Sequence, residues 1–279
     1  MIFDGKKLAQ EILGEIKKET TSWKSKPTVA VVSLGNKSDN SSYIKQKKET
    51  ALELGFGFKH FHFDLPLTTS KLSVELNKLS KREDINGIVV QLPLPENVKH
   101  SVFNIIPPEK DVDLLSDRAA GSFFNGRSLI DPPTAAAIIY ILEKSNVDLR
   151  GKTIAVFGFG RLVGRFLTPM LITRGATVII IEKNTPNAWA MEFSLKADII
   201  ISAVGQPNLI KADMVKEGAV VVDAGFSLFD NNIVGDVDFE AVKNKASLIT
   251  PVPGGVGPVT VALLFKNLME LYKLTKNNK

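Results

Sequence analysis

Five polar side chains stand in this chain at places and spacings that could do chemistry: Tyr43, Lys47, Gln91, Asp111 and Asp113. Tyr43 and Lys47 are four residues apart, which on a helix puts them on one face about one turn apart. Gln91 is the only polar residue in the apolar run GIVVQL, 87–92. It sits at the end of that run, the end that faces the ligand crevice in a parallel α/β sheet. Asp111 and Asp113 alternate in EKDVD, so on an extended loop both carboxylates point the same way. An amine held in a half-dry crevice loses part of its preference for charge and can move protons near neutral pH. A carboxylate accepts hydrogen bonds from ligand N–H groups. Each residue also has a plain structural reading: half-buried core, solvated helix face, satisfied amide or salt-bridged turn. Spacing alone leaves both readings open.

A second constellation runs from Gly151 to Thr185. The β-branched run Thr153 to Phe157 is too short for a helix and ends at Gly158-Phe159-Gly160. Leu162, Val163, Phe166, Leu167, Met170 and Leu171 then follow helical spacing, and Gly175 stops that helix. Thr177 to Ile181 is a second buried strand, followed by the acid Glu182. Strand, glycine turn, helix, strand and acid form a dinucleotide-binding βαβ unit. The first glycine permits the tight turn and the second lets a pyrophosphate approach the backbone. The helix N-terminus adds N–H groups and positive dipole. The glycine spacing (Gly158, Gly160, Gly164) is a variant of the usual pattern, so the flanking strands and the acid carry the reading.

The elements that must position these residues alternate along the chain. An amphipathic helix is predicted over 5–24, with Leu8, Ile12, Leu13 and Ile16 inward. A strand at 28–34 closes at Gly35-Asn36, and Asn40, Ser41 and Ser42 offer caps for a helix ending at Gly55. FKHFHF is a strand that puts His60 and His62 on one face; an edge-strand surface suits them better than a metal pair. A helix capped by Thr68, Thr69 or Ser70 runs to Arg82, before strand 87–92. A proline-rich acidic loop, 106–116, leads into AAGSFFNGRSL, where the pattern loosens and a domain crossing is expected. Pro132-Pro133 introduces a helix over 134–142. Beyond the βαβ unit, Thr185 caps and Pro186 starts a helix, and strands follow at 198–204 and 219–225. A last helix, 259–274, follows PVPGGVGP. The alternation implies a parallel α/β architecture.

Composition narrows the function classes. Cysteine is absent, which removes disulfides, thiolate nucleophiles and cysteine-ligated zinc; no metal site is expected. The net charge of +5 comes without an arginine–aromatic stripe, so nucleic acid is not an expected partner. No apolar run is long enough for a membrane span. The opening MIFDGKKLAQ is too polar for a secretory signal, and a cytoplasmic location is expected.

The stretches GIVVQLPLP (87–95), PPEKDVD (107–113), Tyr43-Ile44-x-x-Lys47, GDVDF (235–239) and ITPVPGGVGPVTVALL (249–264) resemble the FolD family over nearly the whole chain. These are bifunctional methylenetetrahydrofolate dehydrogenase/cyclohydrolases. The resemblance implies oxidation of 5,10-methylene-tetrahydrofolate to the methenyl cation with a nicotinamide cofactor. Water then opens the ring to give 10-formyl-tetrahydrofolate. It also implies a folate-binding catalytic domain, residues 1–118, to which a C-terminal helix (259–279) returns, and a Rossmann-type domain over 119–258. Lys47 would be the catalytic lysine, Gln91 its partner, Tyr43 a stacking surface for the folate and Asp113 the anchor of its pterin ring. The implied cofactor set is Gly158, Phe159, Gly160, Arg161, Leu162 and Val163, then Glu182 and Lys183, then Ala203, Val204 and Gly205. Pro253, Gly254, Gly255 and Val256 would form a substrate loop, and the family's homodimer is expected.

Several positions depart from the family pattern. Asp-Gly-Phe becomes Asp113-Leu114-Leu115, and Pro-Cys-Thr-Pro-x-Gly becomes Pro132-Pro133-Thr134-Ala135-Ala136-Ala137. Gly-Arg-Ser in the nucleotide loop becomes Gly158-Phe159-Gly160, and a histidine-serine pair becomes Glu182-Lys183. The last two changes point to NAD rather than the family's commoner NADP. An acid at Glu182 accepts from ribose hydroxyls, whereas a 2′-phosphate about 4 Å away would be repelled by roughly 4 kcal/mol at an effective dielectric near 20. Two alternatives are a shikimate-type dehydrogenase of the same plan and a nucleotide-binding homologue without catalysis. QLPLP and PGGVGP argue against the first, and the Tyr43, Lys47, Gln91 and Asp113 set argues against the second.

Overall fold

Hydrophobic periodicity places most elements of the first half correctly. The computed structural model describes residues 1–35, 41–229 and 232–277. Helix α1 (Gly5–Thr20) buries Leu8, Ile12, Leu13 and Ile16 and stops four residues before the predicted end. Strands β1 (Thr28–Leu34), β2 (Gly57–Phe63) and β3 (Gly87–Val90) form a parallel sheet in the order β2-β1-β3. Helices α2 (Ser41–Leu54) and α3 (Thr69–Ser80) make the crossovers. Of the capping candidates for α2, Asn40 lies outside the described residues, as does Asn36, while Ser41 and Ser42 are already helical. Thr68 caps α3 by accepting the Lys71 N–H at 3.3 Å. Ala30, Val32, Ile88 and Val90 on one face of the sheet pack with Leu72, Leu76, Phe103 and Ile106.

The acidic loop is not extended. It holds a 3-10 turn at Pro108–Lys110, another at His100–Ile105 precedes it, and the loosened stretch is entered by a helix, α4 (Asp117–Phe124). Ser116 caps α4, its hydroxyl accepting the Ala119 N–H at 3.2 Å. Two turns of helix with Gly121 inside leave too little periodicity to read.

The second half adds α5 (Pro133–Lys144), β4 (Thr153–Phe157), α6 (Gly164–Ile172), β5 (Thr177–Ile181), α7 (Asn187–Lys196), β6 (Ile199–Ser202) and β7 (Val220–Asp223). A short antiparallel hairpin follows, β8 (Ser227–Phe229) and β9 (Asn232–Val234), then α8 (Phe239–Val242), β10 (Leu248–Ile249) and α9 (Val256–Asn277). The main sheet is parallel, in the order β10-β7-β6-β4-β5. Sequence reading missed the hairpin, α8 and β10, all too short for a period to show. It also started the helix of the βαβ unit too early. Residues 161–163 are a turn, and Leu162 is exposed. Thr185 does not cap α7; its hydroxyl accepts the Glu182 N–H at 3.0 Å.

The chain divides into two compact units, Ile12–Pro133 with Val261–Lys279, and Met1–Glu11 with Thr134–Thr260. The resemblance puts a boundary after residue 118, and the division by contacts falls after Pro133. Asp117 at the start of α4 is clasped by Asn104, with the Asp117 N–H donating to Asn104 Oδ1 at 2.8 Å and Asn104 Nδ2 donating to Asp117 Oδ2 at 2.7 Å. Beyond residue 118, Asn267 of the same unit donates to Asp131 O at 2.7 Å. Met1–Glu11 joins the second because the Phe3 N–H donates to Ile249 O and the Ile249 N–H to Met1 O, both at 2.9 Å. Among the described residues, no helix is long and apolar enough to cross a membrane.

Candidate active site

Helix α2 buries Thr50, Ala51 and Leu54, and Lys47 lies on the same stripe at i, i+3, i+4 and i+7. The lysine thus occupies a position where an apolar residue would normally be placed, and it is only 7% exposed. Its Nζ donates to Gln91 Oε1 at 2.9 Å and lies 5.5 Å from the centre of the Tyr43 ring. Gln91 falls just past β3 rather than inside it, held by its N–H to Val32 O at 2.8 Å. Burial lowers the Lys47 pKa, and the nearby Asp113 charge opposes that shift. Burial pushes Asp113 up to about 6; Lys47 pulls it down and Asp111 pushes it further up. Burial also raises the Tyr43 phenol. Lysine, amide, phenol and carboxylate thus form one coupled cluster, in which burial works against the charged form of both the amine and the carboxylate.

The two aspartates do not act alike. Asp111 is fully buried and accepts the Leu115 and Ser116 N–H groups at 2.9 and 2.8 Å, so it builds the loop. Asp113 is half-buried between the buried Val112 and Leu114 and faces the lysine electrostatically. Leu114 has φ 53°, a left-handed conformation that leucine rarely adopts. Asn267 on α9 braces this loop, its Nδ2 donating to Val112 O at 3.0 Å and Asp131 O at 2.7 Å. Sequence reading missed Asn267, although a lone amide within the apolar run of α9 is a detectable signal. His60 and His62 do lie on the edge strand β2, with ring nitrogens 2.7 and 2.9 Å from the Ser33 hydroxyl. Among the described residues, no group of three His, Asp or Glu could hold a metal.

In the second unit, sheet register aligns Ile181 of β5, Phe157 of β4, Ser202 of β6 and Asp223 of β7 in one row. The loops carrying Gly158 to Gly160, Glu182 to Lys183 and Ala203 to Gly205 leave the sheet side by side from that row. Gly158 has φ 93°, and a Cβ there would lie 3.0 Å from Ala203 O. A Cβ at Gly164 would lie 2.1 Å from Gly158 O, so this glycine serves helix–turn packing. At Gly160 an added Cβ meets nothing within 4 Å, leaving open space over the turn. Phe159, Leu162 and Val204 are exposed apolar residues at this edge; Arg161 is half-buried and Val163 is buried. Open glycine backbone ringed by exposed apolar side chains fits a dinucleotide. Glu182 Oε1 accepts the Phe159 N–H, which draws the carboxylate onto the turn.

The loop assigned to substrate is partly structural. Pro253 is exposed and Gly254 has φ 108°, but a Cβ at Gly255 would lie 2.6 Å from Pro251 O. Val256 is buried and already begins α9, three residues before the predicted start.

Comparison with known proteins decides the family. Residues 3–113 match the catalytic-domain model of tetrahydrofolate dehydrogenase/cyclohydrolase, and 132–276 match its NAD(P)-binding domain. The chain belongs to this family. The bifunctional protein FolD of Hydrogenobaculum sp. is 41% identical over 275 residues, 98% of each chain. The bifunctional FolD structure from Campylobacter jejuni is 35% identical, with a TM-score of 0.91 over 99% of each chain. FolD of Trypanosoma brucei, solved with NADP cofactor and an inhibitor, is 32% identical with a TM-score of 0.93, covering 99% of this chain and 98% of that one. A shikimate 5-dehydrogenase from Thermus thermophilus reaches only 18% identity and a TM-score of 0.55, a likeness of fold alone. The chain is thus an enzyme of the tetrahydrofolate dehydrogenase/cyclohydrolase family, with an NAD(P)-binding domain.

Proposed function

We propose that the chain carries out both reactions of its family. It oxidises 5,10-methylene-tetrahydrofolate with NAD(P) and hydrolyses the methenyl product to 10-formyl-tetrahydrofolate. The observation that carries this reading is Lys47 itself, a buried amine on the inward stripe of α2, bonded to Gln91 at 2.9 Å. Burial makes the neutral amine accessible, so Lys47 can take and return a proton as water adds to the methenyl carbon. Gln91 directs Nζ without adding charge. Asp113, ionised above about 6, accepts N–H donors of the pterin ring, and Tyr43 presents its ring face as a stacking surface. When bound, the nicotinamide accepts the hydride, and no side-chain acid is needed for that step.

Of the two cofactors, we assign NAD. The bond from the Phe159 N–H holds the Glu182 carboxylate at the turn, where it accepts ribose hydroxyls and repels a 2′-phosphate. Lys183, next to it and exposed, is a flexible counterweight of smaller effect. The chain is further proposed to form a homodimer. The edge strand β5, with half-buried Val178, Ile179 and Ile180, is its candidate contact.

The experiment is direct. Purified protein is mixed with 5,10-methylene-tetrahydrofolate and either NAD or NADP, and the reduced nicotinamide and methenyl absorbances are followed. Turnover with NAD followed by decay of the methenyl band supports the whole reading. No oxidation with either cofactor would overturn it. Sedimentation velocity reads the dimer in the same preparation.

A further inference from the structure

Behind the loop that follows β6 lie two buried carboxylates, Asp223 (2% exposed) and Asp236 (0%). Asp236 belongs to GDVDF, 235–239, a motif to which the chemistry above gives no task. Its Oδ2 accepts the Ser202 hydroxyl at 2.8 Å and the Val204 N–H at 2.7 Å. Its Oδ1 accepts the Gln206 N–H at 2.8 Å. A loop from 202 to 206 is thus wrapped around one carboxylate. Asp223 accepts the N–H groups of Gly225 (2.8 Å), Asp236 (3.2 Å) and Val237 (2.8 Å), which fixes the backbone that carries Asp236. The packing leaves no slack. A Cβ at Gly225 would lie 2.2 Å from Asp236 Cγ, and one at Gly235 would lie 2.1 Å from Asp223 Oδ2.

Two carboxylates buried side by side are a costly way to fill a core. Burial, with a further push from Asp236, raises Asp223 to about 6 against the hydrogen bonds that lower it. Apolar residues of similar volume would pack there without that cost. What they would not do is hold the 202–206 backbone through its N–H groups. That backbone lies beside the glycine turn at 158–160. The Gly158 turn packs against Ala203 O and Val204 Cγ2, so any shift of the loop reshapes the turn's surroundings.

We infer that Asp236 is a positioning residue for the dinucleotide, holding the 203–206 loop against the Gly158 turn, with Asp223 holding Asp236 in turn. The inference rests on the dinucleotide reading proposed above. In Asp236→Asn an NH2 group replaces one acceptor and faces a backbone N–H, so the loop must move.

The test uses full-length protein with Asp236→Asn and Ser202→Ala. NAD binding is measured by calorimetry without folate. KM for NAD and for methylene-tetrahydrofolate follow, with hydrolysis of the methenyl substrate, which consumes no dinucleotide, as a separate readout. Asp236→Asn should weaken NAD binding and raise its KM about tenfold or more, as expected for hydrogen bonds to a charged group. The folate KM, kcat at saturating NAD and hydrolysis should stay within about twofold, since no bond to the carboxylate reaches those steps. Ser202→Ala removes one donor of three and should weaken NAD binding about two- to fivefold. Unchanged NAD affinity in folded Asp236→Asn overturns the inference, as does an equal loss of NAD binding and hydrolysis. If Asp236→Asn does not fold, unchanged affinity in Ser202→Ala overturns it. A natural protein that binds no dinucleotide instead overturns the underlying reading, before any variant is compared.

Discussion

Lys47 shows how much the meaning of a residue depends on its depth. On a solvated face it is an ordinary cation; at 7% exposure, beside Gln91, it is an amine that can be neutral. Lys47→Ala should therefore lose methenyl hydrolysis by roughly 100- to 10,000-fold while dinucleotide binding stays intact, checked by absorbance decay and calorimetry. Near-normal hydrolysis would remove the lysine from the mechanism. Asp113 gives a pH signature. As an acid raised to about 6, it is charged above that pH and protonated below it. The folate KM should thus be flat above pH 7 and climb, toward tenfold per pH unit, once pH falls below about 6. Asp113→Asn should have a high KM at every pH and no such limb; a limb that survives the substitution would belong to another group. Glu182 separates the cofactors. The natural protein should prefer NAD, and Glu182→Ser should move the ratio of kcat/KM values toward NADP. A natural preference for NADP of tenfold or more, about 1.4 kcal/mol, would overturn that assignment.

At the scale of elements, the loop between β3 and α4 is held from several sides. Leu114 sits at φ 53° where the resembling family carries glycine, which sets two opposed terms against each other. The left-handed conformation costs a leucine about 1–2 kcal/mol, which Leu114→Gly would recover. Its side chain, however, is 1% exposed, and truncating a buried leucine costs about 2–5 kcal/mol. Packing wins, so Leu114→Gly should lower stability by about 1–3 kcal/mol in urea titration. A stabilised variant would show that strain, not packing, dominates at this turn. Asn267 belongs to the same scale, since a side chain on α9 braces the Val112 and Asp131 carbonyls from far along the chain.

For the whole molecule, the matches to the catalytic-domain and NAD(P)-binding-domain models fall largely in separate compact units. Dinucleotide at 100 times its Kd should add about 2.7 kcal/mol to the unit that binds it. Hydrogen exchange should slow most at the strand ends carrying Phe157, Ile181 and Ser202; equal protection throughout β1 to β3 would argue against this placement. Much of this architecture was legible beforehand. Parallel strands buried on both faces read as continuous apolar runs, helices between them keep their period, and a glycine turn before a helix marks a nucleotide loop. The sequence by itself therefore determined the α/β class, β1 to β7 with most of the helices between them, and the residues able to carry chemistry. The tertiary structure alone decided which of them are buried, that Asp111 builds the loop while Asp113 faces Lys47, and that Met1–Glu11 pairs at β10. It also decided that Asp236 gathers the loop beyond β6. The bonds of Asp236 and those at β10 join residues distant in the chain. Depth and long-range pairing leave no local period, because they depend on what the rest of the chain places opposite each residue.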